Sequence, residues 1–245
     1  MPAPPLDARI AELREQPDRT WGVRDAVLAV VAVPAVAAAG TVVVGAGLRL
    51  PEPVVLLVAS AALVGLALLV SRRPVRQSGG WRAALGADLP EWSDAWRIVG
   101  WTVGLVLAQT AALTLLLALV PPLRDVEPQT NVDVLLDQPL PALLLLSVLT
   151  VSVAPLVEEV LFRGVALRGL MLRLGFWPAA VVSTLFFAVL HVQVLEVGAV
   201  FVVVSISVLG LGLCVLARRT GRLGPGIGVH ALYNAAVLLL TVVRG

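Results

Sequence analysis

The sequence predicts an all-α, polytopic integral membrane helical bundle of about seven transmembrane helices, with six to eight in range. Three observations carry this. The chain of 245 residues is 59% hydrophobic and only 14% charged. Its mean hydropathy is +0.96, a value outside the range of ordinary soluble domains. The apolar residues gather into runs of roughly 20, the length that crosses about 30 Å of hydrocarbon at 1.5 Å per residue. Such runs must satisfy their own backbone hydrogen bonds, which selects helices.

Residues 1–25 are polar, mixed in charge and read as a cytoplasmic N-terminal segment. Within it Leu6, Ile10 and Leu13 fall on one face of a short interfacial helix over Leu6–Gln16. Residues 26–120 hold three spans, Ala26–Leu48, Val54–Val70 and Gly100–Val120. Ala35-Val36-Ala37 resembles a signal-peptidase site, but the acid-containing leader and the apolar run beyond it argue against cleavage. Residues 71–97 carry Arg72, Arg73, Arg76, Arg82 and Arg97, with Trp92, Trp96 and Trp101 placed as an interfacial aromatic belt. Residues 121–141, rich in proline and in the acids Asp125, Glu127, Asp133 and Asp137, form an external loop. Residues 142–245 form a second membrane domain of four helices: Ala142 to about Leu174, Ala179–Val194, Gly198–Ala217 and Pro225–Val243. The C-terminal half of the first, with Arg163, Arg168 and Arg173, reads as amphipathic and leaving the membrane.

All 18 basic residues are arginine, and the formal net charge is only +2. The pI near 9.4 does not point to nucleic acid, because the arginines are spread over loops and form no stripe. With the N-terminus inside, fifteen arginines fall on the inner face and three (Arg49, Arg124, Arg244) on the outer. That asymmetry predicts a cytoplasmic N-terminus and an extracytoplasmic C-terminus. Arginine without lysine, in a chain rich in alanine, valine and leucine, suggests a high-GC bacterial genome and hence the bacterial cytoplasmic (inner) membrane. The single cysteine, Cys214, excludes an intramolecular disulfide and reads as buried filler. No internal repeat of the inverted-topology kind is visible.

Charges inside apolar spans are costly and tend to mark function. Glu158, Glu159 and Arg163 lie inside one such span. Adjacent residues point about 100° apart on a helix, so the two glutamates face differently. Glu159 and Arg163, at i and i+4 with the acid first, are spaced for an ion pair. Glu158 is left without a local partner, available as a general base. A structural ion pair with a spare glutamate would give the same pattern. The chain's two histidines also lie in apolar segments: Phe187-Ala188-Val189-Leu190-His191, and His230-Ala231-Leu232-Tyr233-Asn234. The latter spacing places His230 and Asn234 on one face. A lone membrane histidine is commonly a packing or hydrogen-bonding residue. Two of them on separate helices, beside a buried glutamate pair, weaken that account.

These three motifs, in this order, resemble the CPBP family of intramembrane proteases, which includes the type II CAAX prenyl endopeptidases and the Abi and bacteriocin-processing proteins. Phe162-Arg163-Gly164, Leu190-His191 and Arg219-Thr220-Gly221-Arg222-Leu223 add to the likeness. It covers about residues 141–245, and the first three spans match only in being hydrophobic.

The resemblance implies an endopeptidase acting on a membrane-associated peptide or protein substrate, with the lipid bilayer as its medium. Glu158 and His191 would bind and activate a water. His230 and Asn234 would hold that water or donate to the developing oxyanion. Glu159 would lock Arg163, and Phe187 would pack. No cofactor is expected; the alternative is zinc ligated by Glu158, His191 and His230, although the HExxH spacing is absent. A non-proteolytic scaffold or immunity protein of the same family is the alternative function, and a small proton-coupled transporter a third. The cavity is expected within the last four helices, open to the cytoplasm or sideways to lipid. One difficulty stands: His191 lies about 20 Å along its helix from Pro178, and His230 only about 8 Å from Pro225.

Overall fold

The computed structural model describes residues 5–16, 21–33, 35, 51–129, 138–192 and 195–244. Most of the span expected over Ala26–Leu48, with Val36 and Ala37 of the Ala35–Ala37 sequence, Arg49 and the loop acids Asp133 and Asp137 lie outside the described residues.

Among the described residues every regular element is helical. Helix α1 (Leu6–Glu15) buries Leu6, Ile10 and Leu13, the three residues of its apolar face. Helix α2 (Val23–Val27) runs on as a π-helical turn over Leu28–Ala32. Helix α3 (Glu52–Gln77) opens with proline in its first turn, where the missing N–H costs nothing. A short α4 (Trp81–Leu85) leads through a 3₁₀ turn (Trp92–Asp94) to α5 (Ala95–Leu119). Trp92 and Trp96 are exposed at the start of α5, and Trp101 lies under the Arg219 guanidinium. Arginine and tryptophan share that end of the bundle, as an interfacial belt requires.

The next apolar stretch, Leu140–Met171, is long enough to cross a membrane, but it is not one straight helix. Helix α6 (Leu140–Val151) stops at Ser152. Helix α7 (Val153–Glu159) then carries Pro155, which cannot donate to residue 151 and clashes with its carbonyl. A π-helical stretch, Val160–Ala166, follows directly after Glu159, and α8 (Leu167–Met171) completes the crossing. The expectation that this half is amphipathic is wrong as far as Met171. Every residue from Val160 to Met171 is buried, Arg163 and Arg168 included. The arginines find acceptors inside the protein: Arg163 in Glu159 and the Gly210 carbonyl, Arg168 in the Gly221 carbonyl.

Helix α9 (Phe176–Val189) has 14 residues and is too short to cross a membrane. The fifth span was expected to run to residue 194; instead the helix stops at Val189, and His191 sits in the turn after it. Helix α10 (Ala199–Thr220) ends on Gly221, whose φ of 64° makes the left-handed cap that glycine favours. Helix α11 (Gly224–Arg244) closes the chain. Among the described residues five helical stretches are long and apolar enough to cross a membrane, and many of their outward leucines and valines are exposed, as lipid-facing residues are.

Contacts at the helix ends give the direction of each crossing. The Phe176 ring lies 4.3 Å from the Arg218 guanidinium, so α9 starts beside the end of α10. Arg14 donates to the Met171 carbonyl at 2.6 Å, and Asp7 pairs with Arg218 at 2.8 Å. The same end holds α4 and the start of α11, because Leu223 N–H donates to the Gly86 carbonyl at 2.9 Å. At the opposite end, Gln129 N–H donates to the Gly198 carbonyl, joining the chain after α5 to the start of α10.

The arginine-rich end is closed by a segment that only glycine permits. Gly86 has φ 66°, and a Cβ there would overlap both Arg168 Nη2 and the Gly221 carbonyl. A Cβ at Gly224 would lie 2.6 Å from the Leu89 carbonyl. Gly224 N–H donates to Asp88 Oδ1 at 2.7 Å, and Arg222 binds Asp88, Glu91 at 2.9 Å and Asp94 at 3.3 Å. Burial acts to lower the Arg222 pKa, but the hydrogen bond and charge of Asp88, with Asp94 and Glu91, outweigh it, so the net shift is upward. The guanidinium stays charged across the usable pH range.

Gly86→Ala should therefore destabilise the protein beyond the ~1–3 kcal/mol of left-handed backbone strain. Gly79→Ala, at φ 78° with open space around its Cβ, should show that strain alone. Unfolding of both variants in detergent measures the difference; equal losses would mean the Gly86 packing is unimportant.

Candidate active site

Glu158 and Glu159 end α7, just before the backbone widens into the π-helical stretch. Such stretches recur at functional sites because they re-aim neighbouring side chains. The two glutamates separate as their spacing requires. Glu159 is fully buried, and its Oε1 lies 2.9 Å from Arg163 Nη1, the ion pair expected from i, i+4. The same oxygen accepts from His230 Nδ1 at 3.2 Å. Gly226 leaves room for the carboxylate, since a Cβ there would lie 3.0 Å from Glu159 Oε2. Arg163 also donates to the Gly210 carbonyl at 3.2 Å and lies over the Phe187 ring at 4.4 Å.

Glu158 faces the other way, 19% exposed to a cavity. Its Oε2 has no hydrogen-bond partner. Two imidazole nitrogens approach it: His230 Nε2 at 3.5 Å and His191 Nε2 at 3.9 Å. The rings are held from behind. His191 Nδ1 lies 2.6 Å from the Phe187 carbonyl, which can only accept, so Nδ1 carries the proton. His230 Nδ1 likewise faces an acceptor, Glu159. With Nδ1 the donor, the Nε2 atom of each ring is turned toward Glu158: a lone pair when the ring is neutral, a second N–H when it is protonated. Phe187 is the hub behind them, 1% exposed. Its ring meets Phe162 at 4.9 Å, His191 at 4.5 Å and His230 at 5.8 Å, all edge-on.

These contacts resolve the difficulty of depth. Both histidines touch Phe187, which lies about 16 Å along α9 from Phe176, whereas His230 lies about 9 Å along α11 from Gly224. Helix α11 therefore starts about 7 Å deeper in the bundle than α9. The folded-in segment around Gly86 fills the space above it.

Asn234 donates Nδ2 to the Thr150 carbonyl at 3.0 Å, two residues before the break at Ser152. It thus pins the bend between α6 and α7 while also lining the cavity. Sequence reasoning missed two further cavity residues. Tyr233 donates its hydroxyl to Gln109 on α5 in a short hydrogen bond. A lone amide inside the apolar run Gly100–Val120 was the signal that could have found Gln109.

The cavity holds about 720 Å³. Glu158, His191, His230 and Asn234 all line it, but the last four spans alone do not enclose it. Leu63 and Val64 of α3 and Gln109, Leu113 and Leu117 of α5 form one wall. Most of the lining is aliphatic, so the polarity is concentrated around Glu158. Two imidazole nitrogens and a carboxylate are the donor types of a zinc site. Among the described residues no group of three or more His, Cys, Asp or Glu side chains stands ready to hold a metal ion.

Arg163→Ala would leave Glu159 buried without its cation, a cost of about 3–5 kcal/mol. The yield of monodisperse protein and its unfolding temperature in detergent should both fall. Wild-type values in both would mean the pair is dispensable.

Residues 140–236 match the family described as type II CAAX prenyl endopeptidase Rce1-like. No curated protein and no solved structure matches the chain. The match begins with α6 and ends just past Asn234, so it contains every charged and imidazole group of the cluster. The segment that builds the cluster is thus similar to the type II CAAX prenyl endopeptidase Rce1-like proteins, a protease family.

Proposed function

We propose that this protein is an intramembrane endopeptidase that hydrolyses a peptide bond of a membrane-associated substrate with a water activated by Glu158 and His191. One observation carries the reading. The Nε2 atoms of His191 and His230 both face Glu158 Oε2, a buried oxygen without a hydrogen-bond partner, at the polar end of an apolar cavity. Separations of 3.5 and 3.9 Å are too long for direct hydrogen bonds and suit bridging by a water.

Glu158 takes a proton from that water, and the hydroxide adds to the substrate carbonyl carbon. When the tetrahedral intermediate collapses, the C–N bond breaks and the proton held by Glu158 passes to the leaving amine. His230 supplies the charge opposite the oxyanion. Two carboxylates face one guanidinium in this cluster, so one proton on an imidazole makes it neutral. His230, already donating through Nδ1 to Glu159, is placed to carry it and to donate through Nε2. Asn234, with one N–H spent on Thr150, has a second for the same oxyanion. Glu159, Arg163 and Phe187 position His230 and do not touch the substrate. No step is routed through a metal.

Glu158→Gln keeps the size of the side chain and removes the base. Cleavage of a reporter peptide should be lost, with unfolding temperature and substrate binding unchanged. His230→Ala should lower the chemical step by about 2.7–4 kcal/mol, the loss of an oxyanion donor. Wild-type activity should survive exhaustive chelation. Chelator inactivation reversed by added zinc would replace this mechanism with the metal-dependent one. A folded wild type without peptidase activity on any membrane peptide would favour the scaffold reading.

A further inference from the structure

The cavity has a direction, and it points away from the arginines. From His230 its lining follows α11 as far as Thr241, about 16 Å. From Gln109 it follows α5 as far as Leu117, about 12 Å, and it includes Pro128 and Gln129 beyond. All of these lie toward the end where α5 and α11 finish and α3, α6 and α10 begin. Helix α9 is too short to reach that end, so the first turns of α10, with Phe201, Ser205 and Ile206, line the cavity where a longer α9 would stand. The other end is shut by the Gly86–Glu91 segment, packed at backbone distance on Gly221 and Gly224 and tied down by Arg222.

Arginine sorts the same two ends. Arg9, Arg72, Arg76, Arg82, Arg97 and Arg219 stand with the closed end, as do most of the other described arginines; Arg124 and Arg244 stand at the end toward which the cavity extends. Loops rich in arginine stay in the cytoplasm. Given the peptidase reading above, we propose that the site takes its substrate from the extracytoplasmic side, by the arginine-poor end. The substrate class is then an apolar peptide segment of an exported or membrane-inserted protein, presented from the outer leaflet. The lining supports an uncharged occupant. Among the described residues it contains no arginine, and Glu158 is its one carboxylate.

The test reads access and not turnover. The single native thiol is buried and is removed as Cys214→Ser. Ser205→Cys, inside the cavity, and Arg76→Cys, at the opposite end, are then each introduced into the full chain. Both are treated with a charged, membrane-impermeant methanethiosulfonate in right-side-out and in inverted membrane vesicles. Ser205→Cys should be modified in right-side-out vesicles and lose that modification in inverted ones; Arg76→Cys should do the reverse. Modification of both from one face would overturn the opening, and so would a Ser205→Cys thiol that reacts from neither. An Arg76→Cys thiol reached from outside would overturn the orientation. Repeating the labelling with Glu158→Gln separates this proposal from the peptidase reading, because the labelling pattern stands whether or not Glu158 is a base.

Discussion

One buried carboxylate oxygen holds this structure together. Glu159 Oε1 receives Arg163 from its own helix and His230 from α11. Arg163 reaches on to the Gly210 carbonyl of α10 and lies against Phe187 of α9. Four segments of the bundle thus meet on one charge pair from which water is excluded. An isolated charge in such a place would be prohibitive. The pair is tolerated because His230 of α11 and the Gly210 carbonyl of α10 add hydrogen bonds to it, which also makes the arrangement specific. A buried pair of this kind is weak evidence for stability but good evidence for register. Here it fixes the rotation of α11, and so decides which way the His230 ring faces.

The cluster was legible in the sequence because an apolar chain leaves few places for polar side chains to hide. With two histidines in 245 residues, each had to be placed with care, and spacing alone paired Glu159 with Arg163. The fate of the segment after that pair was not legible. Arg163, Arg168 and Arg173 look like the charged face of a surface helix, and the rule that reads them so assumes that water solvates the charge. For Arg163 and Arg168 protein carbonyls and a carboxylate do it instead. Those acceptors are 47 and 53 residues away at Gly210 and Gly221, beyond the reach of any local pattern. The cavity wall from α3 and α5 was hidden for a similar reason: an aliphatic lining carries no signal that separates it from a lipid-facing surface.

The depth of the site followed from a detail that hydropathy does not encode. A run of apolar residues sets how long a helix can be, not where it begins. Glycines at 86, 221 and 224 let a polar loop press into the arginine-rich end of the bundle, so α11 starts below the level of its neighbours. Without that offset His191 and His230 would stand at different heights, and Glu158 would face only one of them.

The brevity of α9 has a consequence for the lipid. Its 14 residues span about 21 Å, some 9 Å less than the hydrocarbon thickness of a typical bilayer. Val189, Leu190, Leu195 and Val197 are exposed where it stops, so acyl chains must shorten or tilt to cover that flank. Hydrophobic mismatch of this kind thins the bilayer locally and brings interfacial water closer to the midplane. A transmembrane segment diffusing into the thinned zone would lose part of its hydrocarbon cover and with it part of the drive to stay helical. Its backbone carbonyls, closed to attack while they accept helical hydrogen bonds, would become available there. On the peptidase reading proposed above, the bilayer itself would perform the first step, loosening the substrate helix before it meets Glu158.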